Sequence, residues 1–204
     1  MDKSSKKVKG IGFFLFAMIT VMTSCMDDSK PIVPKPSSYL RTDLPEHKYF
    51  KTKVVNPVLS YALELPTIFT IAKNLSDSIY GFQEIDLGAA NGSLLIYAKH
   101  FNSRDSLRSL INSANDLVDE HKVKADQIDF IQIKNSQERV FGTFFALKGN
   151  VATNYQFYLT DSTSRFIRGE LLLNCRPNYD SLRPTIEYLR VDLDQMIKTF
   201  QWIK

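Results

Sequence analysis

"RVFGTFFALKGNVATNYQFYLTDSTSRFIRGELLLNC", residues 139–175, is the stretch from which the fold is read. Three runs rich in aromatic and branched residues, "RVFGTFFALKG", "TNYQFYLTD" and "RFIRGELLLNC", are separated only by the short links "NVA" and "STS". Parallel strands need a crossover of about a dozen residues, so links this short predict an antiparallel meander. In the first run Val140, Phe144 and Ala146 fall on one side, and Phe141, Phe145 and Leu147 on the other. Side chains alternate along a strand, so both faces are apolar and both need cover. The sheet should therefore have layers above and below it. Cys175 closes the third run on the side of Leu171 and Leu173, which predicts a small buried apolar residue.

Working outward, further strands are expected in "VLSYALEL" (58–65), "TIFTIA" (67–72), "IYGFQEI" (79–85), "SLLIYAKHF" (93–101) and "QIDFIQI" (127–133). "GAANG" (88–92) carries Asn-Gly, a strong hairpin signal. In 93–101 both faces are again apolar, with Leu94, Ile96 and Ala98 against Leu95 and Tyr97. "SYLRTDLPEHKYF" (38–50) reads as irregular or short strand, with Pro45 as punctuation.

The period changes twice. Leu107, Leu110, Ile111, Ala114, Leu117 and Val118 recur at helical spacing, with Ser103 as a cap and His121 in the last turn. Leu182, Ile186, Leu189, Leu193, Met196, Ile197 and Phe200 form a second stripe, capped by Asp180 or Ser181, with Pro184 tolerated in the first turn. The predicted fold is α+β, an antiparallel sheet of about six or seven strands covered by helices.

Compartment is written upstream of the fold. "MDKSSKKVKG" (1–10) is a basic head, and "IGFFLFAMITVM" (11–22) is an apolar run shorter than the roughly 20 residues a spanning helix needs. Thr23, Ser24 and Cys25 follow, which resembles a lipobox: residues 1–24 are a signal peptide and the Cys25 thiol takes the lipid. One acyl chain holds a protein only marginally, whereas two or three palmitate-type chains at Cys25 anchor it. Cleavage removes four lysines and one aspartate, so the net charge falls from +4 to +1. A nearly neutral mature chain has no electrostatic footprint for nucleic acid. Residues 25–38 are the acylated terminus and tether, in which Pro31, Pro34 and Pro36 favour an extended course of about 40 Å. Residues 39–204 suit one domain. Asp27 and Asp28, just after the cysteine, resemble signals that send some lipoproteins to the cell surface.

Motifs for chemistry are lacking. His47, His100 and His121 stand in unrelated segments with no partner at metal-ligand spacing. No nucleophile elbow, phosphate loop or dinucleotide fingerprint is present. Asp116, Asp119, Glu120, Asp192 and Asp194 read as solubilising charge on exposed helix faces. The expectation is no enzyme, no metal and no cofactor.

"PKPSSYLRTDLPEHKYF" (34–50), "VKADQI" (123–128) and "RGELLLNCRPNYDSLRPTIEYLRVDLDQMIKTFQW" (168–202) together resemble the gliding motility lipoprotein GldD family. The resemblance implies a non-enzymatic cell-envelope lipoprotein needed for gliding and for the associated type IX secretion machinery. It implies lipid anchorage in the outer membrane, with the periplasmic face favoured and cell-surface exposure the alternative, and other machinery proteins as partners. The strand meander and closing helix are also similar to the layered PsbP/Mog1 arrangement. Pro34, Lys35, Pro36, Tyr39 and Arg41 are the candidates for a partner-docking strip, or for a wrap that stabilises the same domain. A surface lipoprotein binding a small ligand or glycan is the second reading. Asp-Ser triplets beginning at 77, 105, 161 and 180 resemble O-glycan acceptors of gliding bacteria and equally read as turn and cap chemistry.

Overall fold

The structure is a computed structural model and describes residues 43–55, 58–72 and 81–203. Strands are β1 (Tyr49–Val55), β2 (Ser60–Pro66), β3 (Thr70–Ile71), β4 (Phe82–Asp86), β5 (Gly92–His100), β6 (Ala125–Asn135), β7 (Val140–Gly149), β8 (Tyr155–Thr160), β9 (Arg165–Leu173) and β10 (Gln201–Trp202). The helices are α1 (Arg104–Asp119) and α2 (Tyr179–Lys198). Seven strands form one antiparallel sheet in the order β3-β4-β5-β9-β8-β7-β6, and a second sheet runs β1-β2-β10.

The meander over 139–175 is present as expected. Phe144 pairs with Phe157, and Phe157 with Gly169. Gly169 is required there because the Phe157 ring occupies the space a Cβ would need. The β4–β5 hairpin turns at Asn91, whose φ of 50° is the left-handed conformation that Asn tolerates.

The larger core lies on one side of the large sheet, called its front. Ile85, Leu94, Phe144, Leu159 and Ile167 meet Tyr61, Leu63 and Leu65 of β2 and Ile186, Leu189, Leu193 and Met196 of α2. Each such side chain contributes about 1.5–3 kcal/mol when fully buried. On the back, α1 supplies far less: Ala114 packs with Phe101 and Phe166, and Val118 with Phe145, Leu147 and Val151. The front core therefore dominates stability. Arg190 of α2 strengthens it, with its guanidinium 4.1 Å from the Phe144 ring centroid while it grips both carboxylate oxygens of Asp194.

Several expectations need correction. The small sheet was not foreseen, because β1 alternates weakly and β10 is two residues long. "TIFTIA" yields only Thr70–Ile71. Leu95 and Tyr97 are half-buried rather than covered, since one helix cannot span seven strands. Cys175 is exposed, because β9 ends at Leu173 and the chain bends before it. The α2 cap is Asn178, whose side chain accepts from Ser181 N. Pro184 is therefore in the second turn, where the carbonyl of Asp180 loses its helical partner. His121 lies beyond the end of α1, whereas Ser103 caps it by accepting from Ser106 N at 3.1 Å.

The β8–β9 turn is organised by Asp161, which is 2 % exposed. Its Oδ1 accepts from the backbone N–H groups of Thr163, Ser164 and Arg165 at 2.8–2.9 Å, and its Oδ2 from Arg165 Nε at 2.9 Å. Burial pushes this carboxyl up, but the donors outweigh it and hold it well below the usual carboxylate range. A depressed pKa contributes stability that is complete above the ordinary Asp value of about 4 and is lost as pH falls. Asp161→Asn should cost about 1–3 kcal/mol in urea unfolding at pH 7. The gap from the native chain should narrow progressively as pH drops below about 4.

Candidate functional site

Cys25, Pro34, Lys35, Pro36, Tyr39 and Arg41 lie outside the described residues. The segment that follows them is described, and it is docked. Asp192 of α2 is fully buried, contrary to its reading as surface charge. Its Oδ1 is 2.7 Å from His47 Nδ1 and accepts from the Tyr49 hydroxyl at 2.9 Å. The His47 ring stacks on Tyr188, with centroids 4.1 Å apart, and the Tyr188 hydroxyl donates to the Pro45 carbonyl at 2.9 Å. Burial first, and then the hydrogen bond and charge of Asp192, raise the Tyr49 phenol well above its ordinary value. Burial and Asp192 act likewise on Tyr188. Both phenols thus stay protonated and able to donate. These contacts latch "LPEHKY" (44–49), just downstream of the predicted tether, to the principal helix of the fold. The sequence signal for this was available only as the one carboxylate that breaks the exposed face of α2, facing the apolar side.

A second polar cluster lies on the back of the large sheet. Across β5, β9 and β8 the ladder places Tyr97 beside Arg168 and Tyr158, and Leu95 beside Glu170 and Gln156. Glu170 accepts from the Tyr97 hydroxyl at 3.2 Å and from Arg168 Nη1 at 3.0 Å. The Arg168 guanidinium sits 4.6 Å from the centre of the Tyr97 ring. Burial, and then Glu170, raise the Tyr97 phenol, with Arg168 opposing. Gln156 is 2 % exposed, and among the described residues neither its Nε2 nor its Oε1 has a hydrogen-bond partner. An unmet buried polar group costs about 1–3 kcal/mol, so this amide is expensive where it stands. A cavity of about 240 Å³ opens beside the cluster between α1 and the sheet.

The third feature is β6, an eleven-residue strand at the end of the large sheet, paired among the described residues only with β7. Phe130 lies opposite Phe145 and Ile131 opposite Phe144, so they occupy opposite faces of the sheet. Phe130 is 60 % exposed and Ile131 41 %.

The three histidines are not brought together: His47 belongs to the latch, while His100 contacts the backbone carbonyls of Ser164 and Val58. Among the described residues no group of three His, Cys, Asp or Glu side chains could hold a metal ion. No helix among them is long and apolar enough to cross a membrane.

The family model of gliding motility lipoprotein GldD matches residues 29–202. The chain belongs to this family. The GldD match spans the latch segment, both sheets and both helices, and ends within β10. Membership places the chain among membrane-anchored lipoproteins of the cell envelope associated with gliding motility. No curated protein matches the chain at a significant level.

The latch can be tested apart from any activity. Asp192→Ala removes the acceptor shared by His47 and Tyr49 and should cost about 1–3 kcal/mol. Limited trypsin digestion should then cut faster after Lys48, and a double-mutant cycle with His47→Ala should show clear coupling.

Proposed function

We propose that this GldD-family lipoprotein is a non-enzymatic accessory of the gliding apparatus and of its associated type IX secretion machinery. Acyl chains on Cys25 hold it to the outer membrane, on the periplasmic face. The proline tether sets the stand-off, and the folded body docks a machinery protein.

The observation that carries the docking role is the outer edge of β6, which no other strand among the described residues pairs. An edge strand presents a row of backbone N–H and C=O groups able to template a further strand. Phe130 and Ile131 are exposed in the middle of that edge, on opposite faces. A flat lipid surface cannot cover both faces at once, whereas an added strand with alternating side chains can. The occupant is therefore an extended segment of a partner protein, paired by main-chain hydrogen bonds and selected by apolar side chains at alternate positions. The latch supports the same reading, since it fixes the body of the protein to the segment that leads from the tether.

Two measurements test this. Cys25→Ala should move the protein out of envelope fractions, and retention there would remove the anchor from the account. Crosslinking from intact envelopes should recover gliding or secretion proteins with the native chain. The double variant Phe130→Glu, Ile131→Lys should reduce that recovery at least fivefold while thermal unfolding changes little. Undiminished recovery, or recovery of the chain's own dimer alone, would count against the docking role.

A further inference from the structure

We infer that the segment which pairs with β6 carries two adjacent acidic side chains, received at the Asn135 end of the strand by Lys134 on one face and Lys198 on the other. The inference rests on docking at β6 as proposed above and adds the chemistry of the partner.

The two ends of β6 differ in charge. Toward its start, Asp129 is engaged by Lys148 at 3.3 Å and by the Gln127 amide at 2.7 Å. At the other end Lys134 and Lys198 are both exposed, and among the described residues neither has an ion pair or a hydrogen bond. Asp194, four residues before Lys198 on α2, is gripped by Arg190 at 2.8 Å instead. Glu138, in the β6–β7 turn, accepts from Gln201 Nε2 at 3.1 Å. A lysine on an edge strand discourages stray pairing, and one in the last turn of a helix suits its dipole. Those reasons account for each lysine alone but not for the groove they share.

That groove, of about 470 Å³, runs between the end of β6 and the end of α2. Its apolar floor is Ile133 and Ile197, which also pack on the front core. Lys134, Asn135, Ser136 and Lys198 complete its wall, and no acidic side chain lines it. It continues the exposed edge, because alternation puts Ile131 and Ile133 on the front and Phe130 and Lys134 on the back.

A strand added to β6 would lie about 4.8 Å from it and send consecutive side chains to opposite faces. Two consecutive acids at the Asn135 end therefore meet one lysine each, Lys198 from the front and Lys134 from the back. Apolar residues cover Phe130 and Ile131, and Lys134 stands four positions after Phe130. The partner segment is thus an apolar pair and an acidic pair about four positions apart. Charge pairs of this exposed kind fix register and choice of partner more than affinity.

The test uses the full-length chain in its own envelope. A photo-crosslinking residue in place of Gln132 reports pairing at the edge. A carbodiimide then activates carboxylates in contact with lysines. The lysine amine displaces the activated group as a urea and leaves an amide bond that mass spectrometry maps. Position 132 should capture a partner segment, and Lys134 and Lys198 should be joined to Asp or Glu side chains of that same segment. The double variant Lys134→Gln, Lys198→Gln should lower capture about threefold at low salt, as befits two exposed ion pairs, and flatten its decline with added salt. Its thermal unfolding should not change. Capture at position 132 with neither lysine joined to the segment, or undiminished in the double variant, would overturn the acidic pair and leave docking at β6 standing. No capture at position 132 would overturn both.

Discussion

Tyr155, Phe157 and Leu159 all point from β8 to the front of the large sheet, where nothing in the sheet itself can keep them from water. Their burial is the constraint on which the rest of the molecule depends. It requires α2 to lie across β7 and β8 with its leucine and methionine stripe facing down, and it leaves a flank that β2 fills with Tyr61, Leu63 and Leu65. Once α2 is fixed, the chain on either side of it is fixed too. The C-terminal tail returns as β10 against β2, and Trp202 donates to the Arg139 carbonyl at 3.1 Å, joining the small sheet to the start of β7.

The back of the sheet follows a different logic. Only α1 covers it among the described residues, and only Ala114 and Val118 of that helix are fully buried. A thin cover over a wide sheet leaves room for polar side chains, and the sequence has placed a tyrosine, an arginine, a glutamate and a glutamine there in neighbouring strands. The front is thus packed for stability, whereas the back retains a cavity beside its polar side chains. That division is consistent with an envelope lipoprotein whose body must be robust yet still present surfaces to other molecules.

Much of the fold was legible in the sequence because its signals are local. Links of a few residues between apolar runs dictate antiparallel pairing, and two long stripes at helical period dictate two helices. Ser103 acts as the α1 cap because Ser before an apolar-periodic run satisfies an otherwise unpaired N–H. The failures were also physical. Alternation carried past Leu173, where β9 ends, puts Cys175 inside although it is exposed, and the charge of Asp192 does not distinguish it from the exposed carboxylates of α2. In the second case the needed information lay at positions 47 and 49, far away in the chain.

By itself the sequence determined the lipoprotein family, the α+β class, the strand meander and the identity of the main core, since each rests on residue type and short-range spacing. Only the tertiary structure decided that Asp192 is a buried acceptor for His47 and Tyr49, that Tyr97, Arg168, Glu170 and Gln156 share one face, and that β6 pairs among the described residues with β7 alone. The reason is that register and strand order bring together groups separated by scores of residues, and those pairings depend on how the whole chain closes its core rather than on any stretch read alone.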